Sequence, residues 1–88
     1  MKGIITVLGK DRVGINAQVC TYLSARQVNI LDISQTIVQG FFSMLMIVDM
    51  PEHADFTQLA DGLRALGKGM GLEIKLQRED IFESMHRI

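Results

Sequence analysis

The spacing of apolar residues predicts a strand followed by a helix at the start of the chain. Gly3 to Leu8 is an apolar run rich in β-branched residues, which is typical of a strand. From Ile15 onward, apolar residues recur at helical spacing, which predicts an amphipathic helix that ends near Gln27. The predicted buried face of this helix consists of Ile15, Val19, Tyr22 and Leu23.

The next two segments predict a hairpin. Asn29 to Gln39 and Phe41 to Asp49 have the composition of strands, and Gly40 between them marks a tight turn, so the two strands should pair antiparallel. The third strand is apolar on both faces, and so is the first. Because helices cover one face of such a sheet, we expect a second copy of the chain and the C-terminal segment to cover the other.

A second helix and a last strand complete the pattern. Asp55, with Gln58 three residues later, resembles a capping box that opens a helix, and Gly67, Gly69 and Gly71 mark the end of that helix. Its apolar face consists of Phe56, Leu59, Ala60, Leu63, Leu66 and Met70. Beyond it, apolar and polar residues alternate, which predicts a strand with one buried and one solvent-exposed face. The apolar residues are Leu72, Ile74 and Leu76, and the polar ones are Glu73, Lys75 and Gln77.

The order βαββαβ predicts an α+β, ferredoxin-like sandwich. Right-handed crossovers place both helices on one face of a four-stranded antiparallel sheet. We assign residues 1–78 to this domain and residues 79–88 to a short amphipathic C-terminal helix that packs on the domain or on a second subunit. A chain of 88 residues has a modest core, so we expect a homodimer.

Composition excludes several classes of partner. Nine Lys and Arg against ten Asp and Glu give a net charge of -1, without the basic surplus that nucleic acid requires. No apolar run approaches the roughly 20 residues of a membrane-spanning helix, and the start is too short for a signal peptide, so we expect a cytoplasmic protein. The single cysteine, Cys20, is expected to pack as a small hydrophobe. His53 and His86 are expected at the surface, and no metal or other cofactor is expected.

The most informative stretch is Gly9-Lys-Asp-Arg-Val-Gly-Ile15, which joins the first strand to the first helix. Gly14 lets the backbone pass close to a ligand, and the first N–H groups of a helix have no internal acceptor and carry positive dipole charge. The stretch is therefore a candidate site for a small anionic group.

With this turn, and with Gln27-Val-Asn-Ile30 at the entry to the second strand, the chain resembles the ACT domain family. The ending from Glu79 to Ile88 is similar to the tail of small stand-alone ACT-domain proteins of prokaryotes. The resemblance implies a regulatory module that binds an amino acid or related metabolite between subunits, at the turn and the start of the second strand beside it. It also implies a regulated enzyme as a further partner.

The site residues implied by this resemblance are Lys10, Asp11, Arg12, Val13, Gly14, Ile15, Asn16, Asn29 and Ile30. Loop N–H groups and Arg12 are suited to an α-carboxylate, while Asp11 and the carbonyl of Asn29 are suited to an α-ammonium. The chain departs from the family pattern twice. Proline is common where Val13 stands, and serine-binding members have histidine where Gly9 stands.

Two function classes remain open. The first is the metabolite-binding regulatory module; the second is an adaptor that pairs with another protein and binds no small molecule. For each site residue a purely structural role is the alternative, since Gly14 suits any sharp turn and Asn29 suits a turn before a strand. We expect no enzyme activity, because the sequence has no nucleophile with a neighbouring base and no G-x-S-x-G turn.

Overall fold

The computed structural model describes residues 1–80 and has the predicted order of elements. The strands are β1 (Lys2–Lys10), β2 (Asn29–Val38), β3 (Phe41–Asp49) and β4 (Leu72–Arg78), and the helices are α1 (Ile15–Ala25) and α2 (Phe56–Gly69). The strands form one antiparallel sheet in the order β2-β3-β1-β4. The predicted ferredoxin-like sandwich is therefore confirmed. The C-terminal helix predicted for residues 79–88 lies largely outside the described residues.

Most element bounds agree with the sequence prediction, and the differences have local causes. Helix α1 ends at Ala25 rather than near Gln27, because Arg26 is its cap and Gln27 has φ of 61°, which a helix does not accommodate. Strand β2 ends at Val38 because Gln39 and Gly40 both have positive φ, which forms a two-residue hairpin turn.

The start of α2 confirms the cap read from the sequence. The backbone N–H of Gln58 donates to Oδ1 of Asp55 over 3.1 Å, which satisfies one of the helix's unpaired donors. At its other end, α2 packs closely on β4. A Cβ on Gly67 would lie 2.8 Å from the carbonyl oxygen of Leu72 and 2.7 Å from Cγ1 of Ile74, so a glycine is required at this contact.

The core lies between the helices and one face of the sheet. Alternate residues of β1, β3 and β4 point into it, as the period of two predicts. Its fully buried side chains are Ile5, Val7, Val19, Leu23, Met46, Val48, Leu63 and Ile74. Tyr22, predicted on the buried face of α1, is only partly buried, and its ring lies 3.5 Å beneath the guanidinium of Arg26. Cys20 packs against the core and is partly buried, as expected.

The opposite face of the sheet is also apolar, as the sequence predicts. Ile4 is buried there and Ile47 is half-buried, whereas Leu8 and Phe41 are exposed. The tail segment from residue 81 onward that was expected to cover this face lies outside the described residues. Among residues 1–80, no helix is long and apolar enough to cross a membrane.

Candidate functional site

The turn between β1 and α1 is held by two contacts from distant parts of the chain. The backbone N–H of Asp11 donates to the carbonyl of Gly40 in the β2–β3 hairpin over 2.8 Å. Nη1 of Arg12 donates to the carbonyl of Met70, at the end of α2, over 3.4 Å. These contacts tie the turn to the β2–β3 hairpin and to the end of α2 in the absence of a ligand, and such pre-ordering lowers the entropy cost of binding.

Gly14 is required by the backbone of this turn. It has φ of 90°, in the left-handed region, and it precedes α1 without any side-chain cap. A Cβ at this position would find only Nε2 of Gln18, at 4.0 Å, so the space beside Gly14 is open. The residue is therefore explained by its conformation, and the open space leaves room for a ligand.

The start of α1 offers free backbone donors. The first helical hydrogen bond runs from the N–H of Gln18 to the carbonyl of Gly14 over 3.0 Å. The N–H groups of Ile15, Asn16 and Ala17 therefore have no acceptor within the helix and carry its positive partial charge. Free N–H groups with positive partial charge at the start of a helix are suited to bind a carboxylate or phosphate oxygen.

The residues assigned to the site have different environments. Lys10, Asp11 and Arg12 are exposed, and Val13 is 96% exposed at the tip of the turn. Ile15, in contrast, is 2% exposed and belongs to the core, so its side chain does not face a ligand and only its N–H remains available. The contact of Arg12 with Met70 was not foreseen, because it depends on where α2 ends.

Asn16 connects the turn to the edge of the sheet. Its Nδ2 donates to Oε1 of Gln35, in β2, over 2.7 Å. Because β2 is an edge strand, this hydrogen bond places the first turn of α1 beside the free edge of the sheet.

Asn29 and Ile30 lie at the other end of the molecule. Asn29 pairs with Asp49 in the sheet, whereas Lys10 pairs with Phe41 at the opposite end of β3. At about 3.3 Å per residue, the length of β2 separates Asn29 from the turn by about 30 Å. The expectation that the start of the second strand lies beside the turn is therefore wrong within a single chain.

Two cavities lie near this second end of α1. The larger, of about 1000 Å³, lies between the C-terminal half of α1 and the start of α2. Its lining includes Tyr22, Arg26, His53 and Asp61. The smaller, of about 500 Å³, is a shallow depression open to solvent, and its lining includes Asn29 and Ile30 together with residues of α1. Sequence patterns gave no sign of either cavity, because each is formed by side chains from separate elements.

Comparison with known proteins gives a consistent set of relatives. The family model described as the ACT domain matches residues 3–77. A UPF0237 protein from Bifidobacterium longum is 56% identical over 88 residues, which is 99% of this chain and 98% of that protein. Among solved structures, an ACT domain protein from Streptococcus pneumoniae has a TM-score of 0.84 and 42% identity over 94% of each chain. The regulatory subunit of aspartate kinase from Thermus thermophilus has a TM-score of 0.68 and 25% identity over 89% of this chain and 51% of that one.

Proposed function

Because the chain belongs to the ACT domain family, we propose that it is a stand-alone regulatory module whose homodimer binds a small amino acid or related metabolite between its subunits. The similar regulatory subunit of aspartate kinase supports a regulatory role. We further propose a cytoplasmic location and a regulated enzyme as the protein that receives the signal. The hydrogen bond between Asn16 and Gln35 carries the proposal, because it joins the glycine turn to the edge where a second subunit would pair.

The exposure of β2 supports a dimer that forms through this strand. Along β2 only Ile30 is half-buried and every other residue is exposed, whereas the adjacent strand β3 has buried residues at alternate positions. Ile33 is 42% exposed and Ile37 is 51% exposed, on the same face as the buried Met46 and Phe42 with which they pair. An apolar, unpaired edge strand is a template for pairing with another chain.

Antiparallel pairing of two β2 strands would assemble the site from both subunits. If Ile33 lies near the twofold axis, the start of one β2 lies beside the end of the other. The Asn29 of one subunit then approaches the Gln35 region of its neighbour, where Asn16 and the turn lie. The two halves of the site, which are about 30 Å apart in one chain, would thus lie close together across the interface.

The chemistry of this combined site suits an amino acid. The N–H groups at the start of α1 would bind the α-carboxylate, helped by the donors of Arg12 that do not contact Met70. The exposed carboxylate of Asp11 and the side-chain carbonyl of Asn29 would accept from the α-ammonium. Each charged end of the ligand would then contact protein groups that have the opposite charge or form hydrogen bonds with it.

An adaptor role is the second candidate. The same exposed residues of β2 that favour a homodimer would also pair with an edge strand of another protein, with no small molecule involved. In that case the open space at Gly14 would have no ligand.

A thermal-shift screen of the purified protein against the twenty amino acids distinguishes these functions. A ligand at 100 times its dissociation constant adds about 2.7 kcal/mol, which for a domain of this size raises Tm by about 15 °C. Gly14→Asp should abolish this shift, because its carboxylate would repel that of the ligand. Gly14→Asn is the matched control, since asparagine has a similar size and also tolerates positive φ, and it should keep part of the shift.

Circular dichroism and thermal melting must show that both variants fold. Full ligand affinity in Gly14→Asp would exclude the turn as the site. No shift with any amino acid, in a protein that is dimeric, would favour the adaptor.

A further inference from the structure

One residue on the open face of the sheet, the face opposite the helices, is as buried as the core. Ile4 is 5% exposed, yet it is not among the side chains that pack together between the sheet and the helices, which include Ile5 and Val7 of the same strand. Because side chains of a strand alternate between faces, Ile4 points away from α1 and α2. Its burial requires a cover that neither helix supplies.

The neighbouring strands do not supply this cover. In the sheet, Ile4 lies between Ile47 of β3 and Gln77 of β4. Side chains of adjacent strands stand side by side, roughly perpendicular to the sheet, so they shield the flanks of Ile4 and leave its tip open. Leu8 also lies between β3 and β4 on this face, and it is 48% exposed.

The same difference between the two ends of the open face is present in the strands beside β1. Ile47 is half-buried in β3, whereas Phe41, at the hairpin end of that strand, is 61% exposed. Gln77 is half-buried in β4, whereas Glu73 and Lys75 on the same face are exposed. The cover therefore lies over the end of the sheet where β4 ends.

The chain leaves the sheet at this same end. Strand β4 ends at Arg78, beside the start of β1, and Glu79 and Asp80 then have helical backbone. Ten residues run from Glu79 to Ile88, and as a helix they would be about 15 Å long. Strands in a sheet are about 4.8 Å apart, so such a helix would reach from β4 across β1 to β3.

The sequence of this segment suits a helix that lies on an apolar surface. Glu83 and Arg87 are four residues apart, in the order that favours an ion pair along a helix, and the acidic residues Glu79 and Asp80 come at its start, where the helix dipole is positive. Apolar residues recur at helical spacing on the other side. They are Ile81, Phe82, Met85 and Ile88.

We infer that residues 81–88 continue this helix and lie across the open face of their own chain, over Ile4 and Ile47. The apolar side of the helix would then exclude water from this half of the face. The half that includes Leu8 and Phe41 stays uncovered, so a partner that docks on the open face would dock there. The inference concerns neither the turn nor the edge of β2, and it is independent of the proposed function.

The accessibility of single thiols tests this cover in the full-length protein. In a Cys20→Ala background, Ile4→Cys places a thiol under the proposed helix and Leu8→Cys places one on the uncovered half. The rate at which iodoacetamide alkylates each thiol is measured over a wide range of protein concentration. Met85→Gln changes the apolar side of the helix, and Arg87→Gln is the matched control on its polar side. Methionine, arginine and glutamine have similar helix propensities, so neither change acts on the helix itself.

We expect slow alkylation of the Ile4→Cys thiol and fast alkylation of the Leu8→Cys thiol at every protein concentration. Met85→Gln should raise the rate at Ile4→Cys by at least about tenfold, because the loss of one buried methionine side chain shifts the helix toward its detached state by that factor. Arg87→Gln should leave this rate unchanged, and neither variant should alter the rate at Leu8→Cys.

Circular dichroism must show that each variant folds, and Ile47→Cys, under the same proposed helix, replaces Ile4→Cys if that variant does not. An unchanged rate at the covered thiol in Met85→Gln would overturn the inference. A rate that rises on dilution, as the molecular mass measured by light scattering falls, would also overturn it, because a second copy of the chain would then supply the cover. If Met85→Gln raised the rates of both thiols equally, the segment would stabilise the whole domain rather than cover one half of the face, and the inference would fail.

Discussion

At the scale of single residues, Gly9 lies where the chain departs from the pattern that the family resemblance implies, and the packing around it is close. A Cβ at position 9 would lie 2.5 Å from Cδ2 of Leu72, 3.1 Å from the carbonyl oxygen of Gly71 and 3.2 Å from Cα of Leu72. Any side chain larger than hydrogen at this position would therefore have to displace Leu72 and press on the backbone of β4.

We predict that Gly9→Ala lowers the free energy of unfolding by about 1–3 kcal/mol, because overpacking displaces the backbone of Gly71 and Leu72. Gly69→Ala is the control, since a Cβ there meets nothing within 4 Å. Because alanine favours a helix over glycine, the control should gain up to about 1 kcal/mol. Urea unfolding at one protein concentration measures both. A Gly9→Ala protein as stable as the unmodified chain would show that β4 is not packed this closely.

Some residue roles could be predicted from the sequence and others could not. The sharp turn at Gly14 and the cap at Asp55 follow from short local patterns, and both are present. The buried side chain of Ile15 follows equally from its helical spacing, although the family resemblance placed it in the site. The contact of Arg12 with Met70 joins residues 58 positions apart, so no local pattern encodes it.

At the scale of elements, strand β2 differs most from what its sequence suggests. Its apolar, β-branched residues have the composition of a half-buried strand, which predicted the strand itself correctly. The period of two does not reveal whether a helix covers a given strand, and here Ile33 and Ile37 are left exposed at the edge. The sequence predicted that a second copy of the chain would cover the open face of the sheet. The exposed isoleucines of β2 favour association through the edge of the sheet instead.

We predict that Ile33→Arg converts the dimer to a monomer, because it places a charge in the middle of the pairing edge. Leu8→Arg is the matched control, since Leu8 is 48% exposed but lies on the open face of β1, away from that edge. Light scattering at micromolar concentration gives the molecular mass of each. A monomeric Leu8→Arg protein beside a dimeric Ile33→Arg protein would show that the subunits associate through the open face instead.

At the scale of the whole molecule, the topology determines where the parts of the site lie. The order βαββαβ predicted the sheet and both helices, because right-handed crossovers leave few alternatives. The same topology places the turn and Asn29 at opposite ends of β2, and this separation could be read only from the strand register. A site that uses both must therefore draw them from two chains.

Complementation between two defective variants tests this central claim most directly. Gly14→Asp removes the turn half of the site and Asn29→Ala removes the other half, so each variant alone should bind no amino acid identified in the thermal-shift screen. The two proteins are mixed in equal amounts, unfolded and refolded together, and titrated calorimetrically with that amino acid.

If the site is shared between subunits, the mixture should recover about a quarter of the original sites, because random assortment makes about half of the dimers mixed and each mixed dimer has one intact site. If each site lay within one chain, every site in the mixture would still carry one defect. A mixture that binds no more ligand than the separate variants would therefore contradict the shared site.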